Sequence, residues 1–326
     1  MDALSEALRS VRITGAIFLS AEFRAPWCFE TPPTKLSAPV LSPDTEYLVS
    51  YHLVTEGRAS LEIPGESVMT VQAGEVVVLP HGQAHLFYHG SARRPINAAV
   101  ALSRHVAGEL SQFRYTGGDG ETSRFVCGFL GCDRHAERFF LAGLPAAIKV
   151  NIRSDATGAW IESSIRHLVD EAQKGQPGHA ILLSKMAEAL FIETLRIHLR
   201  TLPEDETGWL AAVRDPVSGA ALALIHKQPA EAWTIEKLAA EAGSSRAVLA
   251  ERFHNLLGEP PITYLTRWRM QMAARKLRAT TETVLGIALD VGYESEAAFS
   301  RAFKREFGTP PSKYRKSFAN AAAAAR

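Results

Sequence analysis

The hydrophobic positions of this chain follow two different periods. Between residues 45 and 102, short apolar or alternating runs end at glycine, as in "YLVSYHLVTEG", "VMTVQAG" and "EVVVLPHG". This spacing is typical of the short strands of an antiparallel sandwich or barrel. After about residue 135, apolar residues recur every three or four positions, as in "AWIESSIRHLVDEAQKG" and "AILLSKMAEALFIETLRIHLR". That period predicts amphipathic helices, so a β domain should precede a helical part.

The helical part is interrupted once by a segment with the composition of a linker. Residues Thr201–Gly208, "TLPEDETG", are acidic and contain proline and glycine. Such a segment favours an exposed connection over a packed element. From residue 209 onward, the pattern predicts helices separated by tight turns.

Two segments of the C-terminal part share one plan. They are "IEKLAAEAGSSRAVLAERFHNLLG" and "VLGIALDVGYESEAAFSRAFKREFG". In each, a short helix is followed by a glycine that permits a tight turn, and a serine then caps a second helix. The matching residues are Ala239 and Ala288, Gly243 and Gly292, Ser245 and Ser295, Phe253 and Phe303, and Gly258 and Gly308. This plan predicts two helix-turn-helix units, whose second helices enter a DNA major groove.

The segment between these units, "PITYLTRWRMQMAARKLRAT", predicts a long connecting helix that begins at Pro261. At 1.5 Å per residue, about 18 residues would span roughly 27 Å. Two recognition helices separated in this way are expected to reach successive major grooves, about 34 Å apart.

Residues 219–317 resemble the DNA-binding domain of AraC-type transcriptional regulators. The resemblance rests on "LAAEAGSSRAVLAERF", "GEPPITYLTRWRMQMAARKLR" and "IALDVGYESEAAFSRAFKREFGTPPSKYR". It implies two helix-turn-helix units joined by a long helix, with double-stranded DNA and RNA polymerase as partners. The resemblance also implies which positions face DNA: Ser245, Arg246, Ala247, Ala250 and Glu251 in the first unit, Ser295, Glu296, Ala297, Ser300, Arg301 and Lys304 in the second, and Arg269 in the connector.

The two units offer different chemistry at these positions. Arg301 has forked donors that suit guanine or a phosphate oxygen, and Lys304 suits a phosphate. In the first unit, Ala247 and Ala250 can only offer methyl groups to thymine, and Glu251 either accepts from cytosine or pairs with Arg252. Whether the first helix recognises sequence is therefore left open.

Charge is consistent with a polyanionic partner for the C-terminal part. Residues 1–205 carry 19 Lys and Arg against 23 Asp and Glu, whereas residues 244–326 carry 14 against 7. An excess of this size also occurs on ordinary protein surfaces, so charge alone does not decide the function.

A histidine-rich stretch, "GEVVVLPHGQAHLFYH", lies between Gly74 and His89. It matches the second cupin motif, Gly-x5-Pro-x-Gly-x2-His, with His85 at the motif histidine and His89 where asparagine is usual. Residues 1–135 therefore resemble a cupin-like sensor domain, as found fused to AraC-type domains.

The first cupin motif is incomplete, since "EYLVSYHLVTEG" contains His52 alone. A divalent metal typically needs three protein ligands. We therefore predict no bound metal, no cofactor and no catalytic residue. His52, His85 and His89 are instead candidates for contacting a ligand, and packing within the barrel is the alternative for His85.

The three cysteines, Cys28, Cys127 and Cys132, are too few for a disulfide framework. Cys28 and Cys127 are candidates for a redox response, because "VCG" around Cys127 resembles oxidant-responsive relatives. A thiolate of this kind needs exposure and a lowered pKa. The alternative is that Cys127 is a small buried hydrophobic residue.

Together, these features predict a multi-domain α+β protein with an N-terminal cupin-like antiparallel β-barrel. The predicted parts are a sensor domain (1–135), a helical connector and dimerisation region (136–205), an AraC-type DNA-binding domain (206–318) and an Ala-rich tail (319–326). The leading hypothesis is a sequence-specific transcription regulator that responds to a small-molecule effector or an oxidant. The alternatives are a metal-dependent cupin enzyme fused to a DNA-binding domain, and a constitutive DNA-binding protein whose barrel only dimerises.

The N-terminal segment "MDALSEALRS" lacks the basic start and apolar run of a secretory signal. No apolar stretch approaches the roughly 18 residues that a membrane span needs. We therefore expect a cytoplasmic protein that is not an enzyme and does not contact a membrane.

Overall fold

The chain divides into two compact units. The structure is a computed structural model that describes residues 2–10, 13–42, 45, 47–91, 94–98, 110–132, 141, 143–172 and 177–324. One unit contains Val11–Pro203, and the other combines Met1–Ser10 with Glu204–Arg326. These boundaries differ from the predicted domain limits, because the first ten residues group with the C-terminal helices and the predicted connector groups with the sheets.

The first unit contains two sheets within the described residues. The six strands of the first sheet are β1 (Ile13–Arg24), β3 (Tyr47–Glu56), β6 (Glu75–Leu79), β9 (Ser111–Tyr115), β10 (Thr122–Cys132) and β11 (Ile148–Asn151). The five strands of the second sheet are β2 (Trp27–Thr31), β4 (Arg58–Glu62), β5 (Met69–Gln72), β7 (His85–His89) and β8 (Ile96–Asn97). Their spatial orders are β11-β6-β3-β10-β1-β9 and β5-β4-β7-β2-β8.

Most neighbouring strands are antiparallel, as predicted, although β1 pairs with β9 and β2 with β8 in parallel. At the end of the interval 45–102, in which short strands are predicted, strand β8 is limited to Ile96–Asn97, and residues 99–102 lie outside the described part of the chain. The predicted fold class, a cupin-like β domain with a helical C-terminal region, is confirmed.

Side chains from both sheets meet in one apolar core. Leu19 and Phe125 come from the first sheet, while Trp27, Leu61 and Phe87 come from the second, and all are buried. Alternate residues of a strand point to opposite faces, so each strand supplies every second residue to this core. The core lies between the two sheets and contains the histidine and cysteine side chains described below.

Helices α2 (Thr34–Leu41), α3 (Ala156–Ala172) and α4 (His179–Thr201) belong to the same unit. Helix α4 packs on β1, β10 and β11 of the first sheet. Gly15 permits a close approach of strand and helix, since a Cβ at this position would lie 2.7 Å from the Ala187 Cβ. Because helices cover the outer face of this sheet, β3 is buried over nearly its whole length.

The second unit is helical. Its helices are α1 (Ala3–Ser10), α5 (Trp209–Arg214), α6 (Pro216–Lys227), α7 (Ile235–Glu241), α8 (Arg246–Leu257), α9 (Pro261–Ala279), α10 (Val284–Asp290), α11 (Glu296–Phe307) and α12 (Pro311–Ala324). Helix α1 packs against α6. Helix α12 continues through Ala324, so the predicted Ala-rich tail is helical up to that residue.

A buried aromatic network lies between α5, α6 and α9. Trp209 Nε1 donates to Tyr264 Oη at 3.1 Å, and Tyr264 Oη lies 2.9 Å from His226 Nε2. The His226 ring also stacks on Trp268 with ring centroids 4.2 Å apart. Burial lowers the pKa of His226 to about 3, against a smaller opposing effect of the Ala3 backbone. His226 is therefore neutral at physiological pH.

Candidate nucleic-acid interface and barrel site

The first helix-turn-helix unit consists of α7 and α8. The backbone N–H of Lys237 donates to Thr234 Oγ1 at 3.2 Å, and that of Val248 donates to Ser245 Oγ at 3.3 Å. Each helix thus begins at a hydroxyl that accepts from its first turn. Gly243 has a φ of 67°, which forms the turn between the helices. Phe253 anchors α8 in the core and is fully buried.

The second unit, α10 and α11, repeats this construction. The backbone N–H of Gly286 donates to Thr283 Oγ1 at 3.0 Å, and that of Ala298 donates to Ser295 Oγ at 3.3 Å. Gly292 has a φ of 82° in the turn, and Phe303 is fully buried. The long helix α9 joins the two units over 19 residues, about 28 Å, close to the predicted length.

The predicted DNA-facing residues of the first unit lie on the accessible side of α8. Arg246, Ala247 and Glu251 are exposed, and Ala250 is half-buried. The arginines of this helix already have acidic partners. Arg246 lies 3.0 Å from Glu236, and Arg252 pairs with Asp215. The alternative in which Glu251 pairs with Arg252 is therefore not what the structure shows.

The second recognition helix, α11, presents a different surface. Glu296, Ala297, Arg301 and Lys304 are exposed, and Ser300 is half-buried. Among the described residues, neither Arg301 nor Lys304 forms an ion pair. These two cations lie one turn apart on the helix, since positions i and i+3 share a face. Their charge is available to a phosphate or a base edge.

Arg269 occupies a different environment from the other predicted DNA-facing residues. Its guanidinium donates to three backbone carbonyls, those of Pro229 at 2.6 Å, Glu231 at 2.7 Å and Gly292 at 3.3 Å. Burial lowers the pKa of Arg269, and Tyr293 opposes this shift. These bonds connect the turn of the second helix-turn-helix unit to the loop between α6 and α7. Arg269 therefore holds the two helix-turn-helix units together.

The barrel core contains a continuous chain of polar side chains. Cys127 of β10 lies opposite His52 of β3 in the strand register, and the Sγ to Nδ1 distance is 3.0 Å. His52 Nε2 lies 2.9 Å from His85 Nε2, and His85 Nδ1 lies 3.0 Å from the Gln83 carbonyl oxygen. Cys127, His52 and His85 are all buried.

The positions of the protons along these hydrogen bonds follow from the Gln83 carbonyl oxygen at the end of the series. A carbonyl oxygen only accepts, so His85 Nδ1 carries the proton that it donates to Gln83. In the neutral rings, His85 Nε2 then accepts from His52 Nε2, and His52 Nδ1 is left as an acceptor for the Cys127 thiol. Each hydrogen bond in the series is therefore donated in the direction from Cys127 to Gln83.

Burial keeps the three groups uncharged. It lowers the pKa of His85 to about 4, against the bond to Gln83, and lowers that of His52 well below its usual value, with His85 adding to the effect. Burial also raises the pKa of the Cys127 thiol to about 12. Cys127 is thus a neutral thiol that donates to a neutral histidine.

The structure brings together only part of the predicted barrel site. His89 lies on the same strand as His85, but four residues of strand span about 13 Å. It lies instead 3.7 Å from Glu121. Cys28 follows Trp27, so it points to the opposite face of β2. Among the described residues, no group of three His, Cys, Asp or Glu side chains could hold a metal ion.

The sequence indicates Cys127, His52 and His85 as separate candidates, but it does not indicate that they form hydrogen bonds with one another. It gives no sign of a role for Gln83 or for Trp27, which lines a small cavity in the barrel core together with His52 and Cys127. Cys127 and His52 are 75 residues apart, and only the pairing of β10 with β3 makes them neighbours. The apolar periods reveal the strands, but they do not specify which strands pair.

Comparison with known proteins identifies both parts of the chain. Residues 2–200 match the cupin family, and residues 238–317 match a helix-turn-helix domain family. The HTH-type transcriptional regulator AlkR of Acinetobacter baylyi is 30% identical over 321 residues, which cover 97% of this chain and 99% of AlkR. The RCS-specific HTH-type transcriptional activator RclR of Escherichia coli is 30% identical over 316 residues, which cover 97% of both chains.

A third relative matches the C-terminal part alone. The regulatory protein SoxS of Salmonella typhimurium is 40% identical over 85 residues, 25% of this chain and 76% of SoxS. None of the described helices is both long and apolar enough to span a membrane. A putative AraC-like transcription regulator of Streptomyces lividans is 32% identical over 275 residues, 84% of this chain and 88% of that protein. This relative, the cupin match over residues 2–200 and the two regulators that are 30% identical over 97% of the chain show that this chain belongs to the AraC family of DNA-binding transcription regulators, with a cupin domain followed by a helix-turn-helix domain.

Proposed function

We propose that this regulator recognises its operator chiefly through α11. Arg301 contacts a base edge or phosphate, and Lys304 contacts a phosphate. The observation that carries this proposal is that both cations are exposed and lack ion pairs among the residues the structure describes. An arginine that contacts guanine typically contributes about 1–3 kcal/mol to specific binding.

Helix α8 has a supporting role in this proposal. Arg246 is engaged by Glu236, so binding DNA through it requires that this ion pair be broken or shared. Ala247 and Ala250 offer methyl groups, which discriminate thymine weakly. We expect α8 to position the domain on the sugar-phosphate backbone of DNA and to contribute less sequence preference than α11. Arg269 maintains the arrangement of the units and is left out of the contact surface.

In this proposal the protein is cytoplasmic, and its cupin domain binds the effector. The DNA-bound regulator contacts RNA polymerase at the promoter. An effector that favours one arrangement of the chain changes its DNA affinity by the coupling free energy, typically about 1–3 kcal/mol. The buried polar chain of Cys127, His52 and His85 supports a sensory role for the barrel. Buried polar groups are costly, and their presence beside a cavity favours a function over simple packing.

Dimerisation through α3 and α4 is part of the proposal. Trp160 is 61% exposed, Ile181 60% and Leu182 50%, although all three are large apolar side chains on helices. We take these exposed apolar side chains as candidate contacts of a dimer interface. Sedimentation of the full-length protein is expected to give a dimer, and Leu182→Glu should shift it towards monomer. A monomeric wild-type protein at micromolar concentration contradicts this part.

The experiment that tests the proposed function is the selection of bound fragments from sheared genomic DNA by the purified full-length protein. A motif with two half-sites about one helical turn apart is expected, since each unit enters a major groove. Titration of that motif with candidate effectors then measures the coupling. Retention of DNA without any enriched motif, with and without effectors, would contradict sequence-specific regulation.

A further inference from the structure

The turn of the second helix-turn-helix unit lies directly against the loop between α6 and α7, which precedes the first unit. A Cβ at Gly292 of this turn would lie 2.6 Å from the Ala230 carbonyl oxygen and 2.8 Å from the Ala230 Cα. Glycine permits two backbone segments to approach each other this closely. The turn and the loop are therefore in backbone contact.

Arg269 of α9 holds this contact from a third element. Its Nε donates to the Pro229 carbonyl at 2.6 Å, its Nη2 to that of Glu231 at 2.7 Å and its Nη1 to that of Gly292 at 3.3 Å. Each nitrogen of the guanidinium thus donates to a backbone carbonyl. Because the guanidinium is planar and rigid, it holds the three carbonyls in one relative arrangement. We call Arg269, Gly292 and residues 229–231 the junction.

On one side, the junction is attached to the first helix-turn-helix unit. Trp233 is buried, and its Nε1 donates to the Gln228 carbonyl at 2.9 Å. The Glu231 carboxylate accepts from Lys237 Nζ of α7 at 2.6 Å. These bonds fix the loop to α7, so a displacement of the loop would move the first unit with it.

On the other side, the junction is attached to α10 and α11. The backbone N–H of Tyr293, which follows Gly292, donates to the Ala288 carbonyl of α10 at 2.9 Å. The Tyr293 ring packs edge-on against that of Phe299 of α11, with centroids 5.7 Å apart. Phe299 is fully buried in the core of the second unit. A displacement of the turn would therefore move the second recognition helix.

We infer that Arg269 is a positioning residue that sets the orientation of α8 relative to α11, and thereby the spacing of the half-sites that the protein accepts. The inference rests on the proposed function in that each helix-turn-helix unit enters a major groove. Helix α9 joins the two units, and long helices bend gently. A second attachment beside the helix resists this bending, and the junction provides one.

A fixed arrangement of α8 and α11 makes the protein sensitive to half-site spacing. One additional base pair moves a half-site by about 3.4 Å along the DNA and about 34° around it. Two helices held in one arrangement follow this change only if the DNA is deformed. We expect wild-type protein to prefer one spacing at least about tenfold over spacings that differ by one base pair. Equal binding to neighbouring spacings would overturn the inference.

Two variants separate the geometry of the guanidinium from its charge. Arg269→Gln removes both, whereas Arg269→Lys keeps the charge and loses the rigid fork. We expect both variants to lower the spacing preference to about threefold or less, since the DNA then needs less deformation. Both should retain the salt dependence of wild-type binding. If Arg269 instead contacted a phosphate, Arg269→Lys would bind like wild type and Arg269→Gln would lower the salt slope by about one. That result would overturn the inference.

Arg275→Gln is the matched control on the same helix. Arg275 is exposed, so this variant removes one positive charge from α9 and leaves the junction intact. It should keep the spacing preference of the wild-type protein. Equal losses of this preference in Arg275→Gln and Arg269→Gln would mean that the charge of α9 is responsible, which would overturn the role of the junction.

The orientation of the recognition helices is measured directly, without DNA, by pulsed electron paramagnetic resonance on the full-length protein. Spin labels are attached at Ala247→Cys of α8 and Ala297→Cys of α11, which are exposed positions, whereas the native cysteines are buried. Excess unlabelled protein removes signals between molecules. We expect one narrow distribution of label distances, and a broadened or shifted one when Arg269→Gln or Arg269→Lys is added.

This measurement decides the inference even where other steps fail. Distributions that are identical with and without the Arg269 substitutions would overturn it. A broad distribution in protein that retains Arg269 would also overturn it, whether or not the Arg269 variants fold. Failure of the wild-type protein to select any operator would contradict the proposed function, whereas the distances between α8 and α11 would still test the positioning role of Arg269.

Discussion

The two helix-turn-helix units have nearly the same backbone and different surfaces. Both use a threonine and a serine as helix caps, a glycine in the turn and a buried phenylalanine in the second helix. On the accessible faces, Arg246 is paired with Glu236, whereas Arg301 has no ion pair among the described residues. The constraints of folding are therefore repeated, while the groups available to DNA are not.

This difference separates two kinds of residue. Caps, turn glycines and core phenylalanines meet the same physical requirement in each unit, so they recur at matched positions. Surface residues meet a requirement set by a partner, and in the proposed mode of binding each unit faces its own part of the operator. The repeated residues are informative about the fold, and the residues that differ are informative about recognition.

The largest difference is expected at the turn glycines. Both have positive φ, where an added Cβ is strained by about 1–3 kcal/mol. A Cβ at Gly292 would also lie 2.6 Å from the Ala230 carbonyl oxygen. A Cβ at Gly243 would have no described heavy atom within 4 Å apart from its own residue and chain neighbours. Gly292→Ala should therefore lower the free energy of unfolding by at least about 1 kcal/mol more than Gly243→Ala. Denaturant titration of both variants measures this, and equal losses would contradict it.

A fall in pH should destabilise one half of the helical domain before the other. The folded-state pKa of His226 is about 3, below the usual 6.5, so its contribution to stability is complete above pH 6.5 and is lost as the pH falls towards 3. Among the residues that the structure describes, the buried histidines are His52, His85 and His226, and none of them belongs to the apolar core around Phe299 and Phe303. Amide exchange between pH 7 and 4 should therefore show α6 and the start of α9 opening before α11. His226→Gln should remove this pH dependence, and simultaneous opening in the wild type would contradict the assignment.

The recognition helices should differ in their contribution to specific binding. Arg301→Ala is expected to weaken operator binding by about 1–3 kcal/mol, because it removes an unpaired guanidinium from the contact surface. Arg246→Ala should cost less, since removing this side chain also removes the need to break its pair with Glu236. Fluorescence anisotropy titrations with one operator compare the variants directly. A larger loss for Arg246→Ala would reverse the proposed order of the helices.

The smallest effects are expected at the caps, where the units are alike. Ser245 and Ser295 each accept one backbone N–H at 3.3 Å. Substitution of either by alanine should lower the free energy of unfolding by about 1 kcal/mol. Thermal unfolding of the two variants should give similar shifts. A clear inequality would mean that the two backbones are less equivalent than their caps indicate.

The sequence predicts local features of the backbone better than it predicts which strands and side chains lie next to one another. The turn glycines, serine caps and the start of α9 at Pro261 follow from the conformational preferences of single residues, and the structure has all of them. Strand β1 was not predicted, although Ile17, Leu19 and Ala21 alternate as a strand should, because its glycine and alanines weaken the β preference.

The candidate sites show the same limit. The positions predicted to face DNA lie on the accessible sides of α8 and α11, since helical period determines which residues share a face. The ion-pair partner of Arg252 and the three carbonyls around Arg269 depend on packing between elements, so the sequence did not indicate them. The pairing of Cys127 with His52 depends on strand order in the same way.

The most direct test of the account is selection from a random DNA library with the wild-type protein, Arg301→Ala and Arg246→Ala. The central claim is that α11 carries most of the sequence preference. We expect Arg301→Ala to lose the preference at one or two base positions of one half-site, while Arg246→Ala keeps the full motif. A motif unchanged in Arg301→Ala and degraded in Arg246→Ala would contradict the claim.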